Sequence, residues 1–162
     1  MIINTERFKL MPLTTKYVTK KYLSWFDKLN GSGKYLLSAK KNQSIACLKS
    51  FVSERENKDD ILFLGIFTQL NKHIGNLKYE PIDFENKSAI LGILIGDKEW
   101  QGKGVANEVI SATNVFLNEI YGIKYIDLVV NANNEPAVSL YKKMNFSIYE
   151  ENDNELKMRL KL

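Results

Sequence analysis

The sequence predicts a mixed α/β fold: a central, mostly antiparallel sheet with one parallel crossover, flanked by about four helices. Three observations lead there. The apolar run Ala89 to Ile95 passes through a glycine-rich turn into Val105, Val109, Ala112 and Phe116, which recur at helical spacing. Three strand-like runs, Ile61 to Thr68, His73 to Ile82 and Ala89 to Ile95, follow one another with short connections, which makes an antiparallel meander. A helix from Gly104 to about Tyr121, stopped by Gly122, then leads to the apolar run Tyr125 to Val130. A strand, a crossover helix and a strand of this length pair in parallel.

In chain order, Arg7 to Leu13 alternates as a first strand that Pro12 closes. Thr14 or Thr15 caps a helix running to about Leu29, with Val18, Tyr22, Phe26 and Leu29 on one face, ended by Gly31-Ser32-Gly33. A second short helix covers Ser44 to Arg55, with Ile45, Leu48, Phe51 and Val52 as its buried stripe and Cys47 as inert core beside them. The charged run Glu54 to Asp60 reads as its solvated end. Ile61 to Thr68 is nearly all apolar and therefore central, and Asn71-Lys72 turns it into its hairpin partner. Asp83 to Lys87 turns into the Ala89 strand, whose unbroken apolar character predicts burial on both faces. Glu135 to Met144 is a short helix opened by Pro136. Phe146 to Glu151 and Glu155 to Leu160 finish as a hairpin, with Leu156, Met158 and Leu160 on one side.

Bulk properties narrow the class. The chain has 162 residues, 44% hydrophobic and 26% charged, and no linker or repeat divides it, so 1–162 reads as one domain with a real core. No apolar run approaches the ~20 residues of a membrane span, and a signal-peptide pattern is missing. The expectation is a cytoplasmic protein without a membrane partner. One cysteine excludes an internal disulfide framework, and with one histidine it argues against a metal site. The net charge of +4 is scattered rather than gathered in a stripe, which leaves nucleic-acid binding unsupported.

Chemistry concentrates in Gln101-Gly102-Lys103-Gly104-Val105-Ala106. Two glycines let successive backbone N–H groups point into one concavity, and a helix N-terminus follows with its unpaired N–H groups and positive dipole end. Strand, glycine turn and helix start together make a place to hold a phosphorylated ligand. A Walker A loop does not fit: five residues separate Gly96 from Gly102, and Gly104 stands where Ser or Thr would hold magnesium. A dinucleotide fingerprint does not fit either, because Asn107 stands where its third glycine belongs.

A third loop type does match. Gln101, Gly104 and Ala106 resemble the Arg/Gln-x-x-Gly-x-Gly/Ala loop of the GNAT acetyltransferases. Downstream, Asn134-Glu135-Pro136-Ala137-Val138-Ser139-Leu140-Tyr141-Lys142-Lys143-Met144-Asn145-Phe146 resembles that superfamily's second motif, with Asn145 in place of the usual glycine. Asn tolerates the left-handed conformation after a helix, so the turn should survive. Glu6 to Leu13, His73-Ile74-Gly75-Asn76 and Ile95-Gly96 look like the Rim-type branch, which includes ribosomal-protein N-terminal acetyltransferases and acetyltransferases of small amines.

The resemblance covers almost the whole chain. It implies a GNAT fold, acetyl-CoA as co-substrate with no metal, and direct acetyl transfer to a primary amine in a ternary complex. Gly102 to Ala106 would hold the diphosphate with backbone N–H groups, and Gln101 and Lys103 could reach its oxygens. An irregular strand end at Leu94, Ile95 and Gly96 could free backbone groups for the pantetheine amides and for the thioester oxyanion. Tyr141 is the implied general acid for the departing thiolate, and Asn134 would bond pantetheine or a water chain. Glu80, beside Pro81, is the candidate base, with Asp83 and Glu85 as alternatives that could also draw in a cationic acceptor.

Read without the motif, Tyr141 is helix packing, Asn134 a cap, Glu80 a solvated strand-end carboxylate and His73 a structural residue beside a turn. Glu108 reads as structural. Trp25, Phe26 and Tyr35 either fill the core or line an acceptor cleft between the N-terminal helices and the Ile82 to Lys87 turn. The favoured acceptor is an amino sugar, polyamine or similar small amine, and a peptide N-terminus comes second. Monomer and homodimer both remain open. The rival from another class is a non-catalytic acyl-CoA-binding sensor, which would keep Gln101 to Ala106 without needing the acid.

Overall fold

The computed structural model describes residues 1–26 and 44–162. Leu29, Gly31 to Gly33 and Tyr35 lie outside the described residues. Eight strands form one sheet: β1 Ile3–Asn4, β2 Phe8–Pro12, β3 Leu62–Thr68, β4 His73–Asp83, β5 Ser88–Ile95, β6 Tyr125–Asn131, β7 Ser147–Glu151 and β8 Glu155–Lys161. Their order across the sheet is β1-β2-β3-β4-β5-β6-β8-β7. Among the described residues four helices flank it: α1 Lys20–Ser24, α2 Ile45–Ser53, α3 Val105–Tyr121 and α4 Glu135–Lys143. Only β5 and β6 run parallel, joined by α3 as the crossover. The expected fold class is the observed one, with β1 as a short edge strand that the alternation did not reveal.

The turns follow local chemistry. Asn71 adopts φ +62 between β3 and β4, and its N–H donates to Thr68 O at 2.9 Å. Asn145 takes φ +66 after α4, as its side chain allows, and Phe146 N–H closes the turn on Tyr141 O at 2.9 Å. Gly122 ends α3 at φ +69.

Two hydrophobic cores lie on opposite faces of the sheet. Tyr79 on β4 reaches α3, where its hydroxyl donates to Asn114 Oδ1 at 2.8 Å. The preceding residue, Lys78, lies over the Phe51 ring of α2 on the other face. The larger core joins Leu64, Ile66 and Leu77 of the sheet to Val109, Ile110 and Leu117 of α3 and Tyr141 of α4. The smaller one gathers Leu13, Val18, Tyr22, Trp25, Leu48, Val52 and Leu94.

Four expectations need correction. The first helix is not continuous from Thr14 or Thr15: residues Thr15–Tyr17 make one 3₁₀ turn, Val18 is extended, and α1 restarts behind Thr19. Thr19 Oγ1 accepts from Tyr22 N–H at 3.2 Å, a local cap that competes with helix continuation and lets Val18 and Tyr22 both enter the smaller core. Cys47 is exposed rather than core, because Leu48 and Val52 form the buried i, i+4 stripe of α2 and Cys47 lies about 100° away. β5 is not buried on both faces: Ala89 and Leu91 are buried, whereas Ile90 and Gly92 are exposed. None of the described helices packs on that part of the second face, so apolar composition alone overstated burial. On α3 the buried set is Val105, Val109, Ile110, Thr113, Asn114 and Leu117, with Ala112 and Phe116 only half-buried. The bond from Tyr79 draws the buried stripe toward Asn114.

Candidate functional site

The parallel pair β5–β6 is short. Pairing runs from Ser88↔Tyr125 to Ile90↔Asp127 and goes no further, although β5 continues to Ile95 and β6 to Asn131. The sheet therefore splits open past Ile90. In the β4–β5 ladder Gly96 N–H donates to Ile74 O, so even-numbered β5 residues direct their backbone toward β4. Ile93 and Ile95 direct theirs into the split. Of the two residues expected to offer backbone groups to a pantetheine arm, Ile95 faces the gap and Leu94 faces β4. The end of β5 is irregular where Gly96 and Asp97 N–H both donate to Ile74 O at 3.0 Å, and the register of β4 on β5 shifts again between Tyr79 and Ile82, around Glu80-Pro81.

The glycine loop stands at the mouth of the split. Asp97, Lys98–Trp100 in a 3₁₀ turn, and Gln101 carry the chain from β5 to Gly102 and Gly104, which adopt φ +68 and +74. Gly104 is the N-cap of α3 and offers no side-chain cap, so the first-turn N–H groups beginning at Val105 and Ala106 point outward. Nothing lies within 4 Å of a Cβ built on Gly102. Gln101 does more for the loop than reach for a ligand: its Nε2 donates to Ile95 O at 2.8 Å, tying the loop to the strand. The Lys103 ammonium lies 5.9 Å from the Trp100 ring centroid.

Two ion networks hold this loop from either side. Asp97 is buried and accepts from Lys21 at 2.7 Å and from Lys72 at 3.1 Å. Burial works to raise its carboxyl pKa, but the bonds from Lys21, Lys72 and Glu99 N–H outweigh that and hold it low. On the far side Arg7 Nη1 donates to Lys103 O at 3.0 Å, and Arg7 Nε meets Glu108 Oε2 at 2.7 Å. Glu108 also accepts from Thr5 Oγ1 and from Arg7 N–H. Glu108 is thus structural, as its sequence suggested, while the place of Arg7 against the loop escaped sequence reading. The signal was present in the N-terminal motif, but nothing local tells which loop a strand-end arginine will meet.

Asn134 caps α4, its Oδ1 accepting from Ala137 N–H at 3.4 Å. Tyr141 follows two turns later, its body buried against Phe146 with ring centroids 5.6 Å apart. Burial pushes its phenol up to about 12, so it stays protonated across the physiological range. Tyr141 is close enough to Tyr79 to raise that phenol further, after burial as the main cause. Among the described residues no hydrogen bond from the Tyr141 hydroxyl is formed.

Glu80 occupies the other face. Its Oε2 accepts from Arg55 Nε at 2.9 Å and from Lys78 Nζ. Burial would raise its pKa, yet the bonds from Lys78 and Arg55 prevail and keep the carboxylate below its ordinary range. Arg55, read from sequence as part of a solvated helix end, stacks 3.5 Å from the Phe51 ring centroid. Asp83 is spent on its turn, accepting from Asn86 N–H at 2.8 Å and Asn86 Nδ2 at 2.7 Å. His73 packs among Tyr17, Tyr22, Trp25 and Phe67 and bonds Asn76 Oδ1 at 2.8 Å. Burial lowers its pKa, so it is a neutral, half-buried residue packed among these rings. Trp25 is buried too, its indole where a Gly96 Cβ would stand, 1.9 Å from Cδ2.

The comparisons with known proteins meet this geometry. Residues 13–147 match the acetyltransferase (GNAT) domain family. No curated protein matches the sequence. Among solved structures, a candidate ribosomal-protein-serine acetyltransferase from Vibrio cholerae superposes with a TM-score of 0.78 at 16% identity, covering 100% of this chain and 98% of that one. A spermidine N-acetyltransferase from Vibrio cholerae, solved with CoA and spermine, gives 0.73 at 18% identity and 95% of both chains. At such identities these likenesses speak for the fold, and their names agree with the Rim-type resemblance. No described helix is long and apolar enough to cross a membrane. A sheet split beside a glycine-capped helix, and a family match that spans most of the sequence, place this chain in the GNAT family of N-acetyltransferases.

Proposed function

We propose that the protein transfers acetyl from acetyl-CoA to a primary amine in a ternary complex. The observation that carries this reading is the pair of positive-φ glycines, Gly102 and Gly104, capping α3 at the mouth of the β5–β6 split. A diphosphate fits there: a Cβ on Gly102 would stand in the open cradle, the α3 dipole favours an anion, and Lys103 adds positive charge beside it.

When bound, acetyl-CoA supplies an activated acyl group: a C–N bond forms to the amine as the C–S bond breaks. The chain's own groups do the rest. Gly102 to Ala106 hold the diphosphate, and the Ile93 and Ile95 backbone lines the split and receives the pantetheine amides. The Ile95 N–H donates toward the acyl oxygen, a contact of the kind worth about 3–4 kcal/mol in other acyl-transfer sites. Tyr141 gives its proton to the departing sulfur, and its raised pKa keeps that proton available. Asn134 stands at the start of the same helix to steady the arm or a water beside it.

The amine arrives as an ammonium with a pKa near 10 and must lose a proton. Glu80 accepts it, directly or through water. The Glu80→Gln variant should then follow the amine's own deprotonation, with kcat/KM climbing steeply toward alkaline pH relative to the parent. An identical pH profile would pass the role to Glu85 or Asp83. The favoured acceptors remain small amines, as the polyamine enzyme among the neighbours suggests, with a peptide N-terminus second.

A thermal-shift titration tests the donor directly. Acetyl-CoA at about 100 times its Kd should stabilise the protein by about 2.7 kcal/mol, with ATP giving no comparable shift. Equal shifts would sink the reading. Thiol release across amino sugars, polyamines and peptides would then separate an enzyme from an acyl-CoA sensor.

A further inference from the structure

Glycine inside a strand is destabilising relative to alanine, so each one invites a reason. Every described glycine but one has it in its surroundings. A Cβ on Gly65 would meet Phe67 Cε2 at 2.6 Å, on Gly75 Leu94 O at 2.4 Å and on Gly96 Trp25 Cδ2 at 1.9 Å. Gly102, Gly104 and Gly122 adopt positive φ. Gly92, in the middle of β5, has neither: its φ is ordinary, and among the described residues a Cβ there would meet only Lys78 O, at 4.0 Å. The fold has room for a side chain at 92.

Its position explains why one is missing. Gly92 lies opposite Lys78 in the β4–β5 register and so shares the face of Lys78, away from α3. It comes two residues after Ile90↔Asp127, where the sheet parts. The larger core, α3 and α4 close the split from one side. On the other side Ile90 and Gly92 are exposed, and so is Val129 across the gap. Glu80 stands beside Lys78 on this same face.

We propose that Gly92 is the aperture through which the acceptor amine reaches the acyl carbon, so that the missing side chain sets how large an acceptor arm can enter. The proposal rests on the acetyl-transfer reading above. A donor arm lying along Ile93 and Ile95 presents its acyl group between Gly92 and β6, and the amine must come from the face that α3 leaves open. Ile90 and Val129 make the rim apolar, which suits the methylene arm of an alkyl amine. Glu80, on the same face, is the proton acceptor of the reading above, and its partners Lys78 and Arg55 leave the cluster with no surplus negative charge, so the rim selects by size and apolar fit.

The test uses Gly92→Ala and Gly92→Leu in the full chain, with acetyl-CoA and the most active amine of a panel of glucosamine, spermidine and an alanyl peptide. Acetyl-CoA affinity should stay within about twofold and the melting temperature should not fall, since the added atoms meet open space. Acceptor kcat/KM should fall by about tenfold or more in Gly92→Leu, and by less in Gly92→Ala. Unchanged kcat/KM in Gly92→Leu, or in Gly92→Ala if the larger variant does not fold, overturns the aperture while leaving the donor site standing. Failure of the unmodified protein to bind acetyl-CoA overturns the underlying reading, and the aperture with it.

Discussion

Replacing Tyr141 by Phe is expected to cut turnover at least about tenfold, with acetyl-CoA affinity changed by no more than about twofold. The substitution isolates one atom. The ring is buried against Phe146 at 5.6 Å, and Phe keeps that packing. What disappears is a hydroxyl whose raised pKa keeps it protonated, the state a general acid needs. The loss should appear in kcat rather than in the donor's Kd, because the proton is needed only as the C–S bond breaks. A tenfold loss corresponds to about 1.4 kcal/mol of transition-state stabilisation. Steady-state thiol release set beside calorimetric titration checks both halves. Unchanged turnover would take Tyr141 out of the chemistry and return it to helix packing.

Gly104→Val is expected to abolish donor binding, weakening acetyl-CoA by more than about 100-fold. Gly104 sits at φ +74, where a β-branched side chain is strongly disfavoured, and the added atoms stand where the diphosphate would lie. Among the described residues only Arg7 Nη2 is nearby, 3.6 Å from the Cβ position, so the clash is with the ligand more than with the protein. Strain alone cannot imitate this result if Gly122→Val is run beside it. Gly122 ends the same helix at φ +69, in open space far along α3 from the loop. Both variants should lose stability, and only Gly104→Val should lose acetyl-CoA. Tight binding retained by Gly104→Val would place the diphosphate elsewhere.

How much of this was legible in the chain depends on the range of the interaction concerned. The run from Ala89 through Gly104 into the helix could be read because strand, turn and helix signals are all local. Asn71 and Asn145 were legible for the same reason: a left-handed turn needs a residue that tolerates it, wherever the rest of the protein lies. The first helix was misplaced because the periodicity of Val18, Tyr22 and Phe26 is equally compatible with a break, and Thr19's cap decided between them. Cys47 looked like core because a stripe drawn on four apolar residues is wider than the face that α2 buries.

The candidate site divides in the same way. Glu80 could be named as a carboxylate beside Pro81, but it lies half-buried within β4 rather than at a strand end, and its two cationic partners come from 2 and 25 residues away. Arg7 meets Lys103 and Glu108 across about a hundred residues of sequence. Gly92 differs from its apolar neighbours only in the space around it, which no local pattern carries.

By itself, the sequence determined the order of elements from β3 onward, the left-handed turns and the glycine loop at the head of α3, since these depend on backbone sterics and hydrogen bonds within a few residues. The tertiary structure alone decided which faces of β5 meet water, where β5 and β6 part, and which charges close on Glu80 and on the loop. Those outcomes depend on surfaces brought together from distant parts of the chain, and no local pattern of residues encodes which surface will arrive.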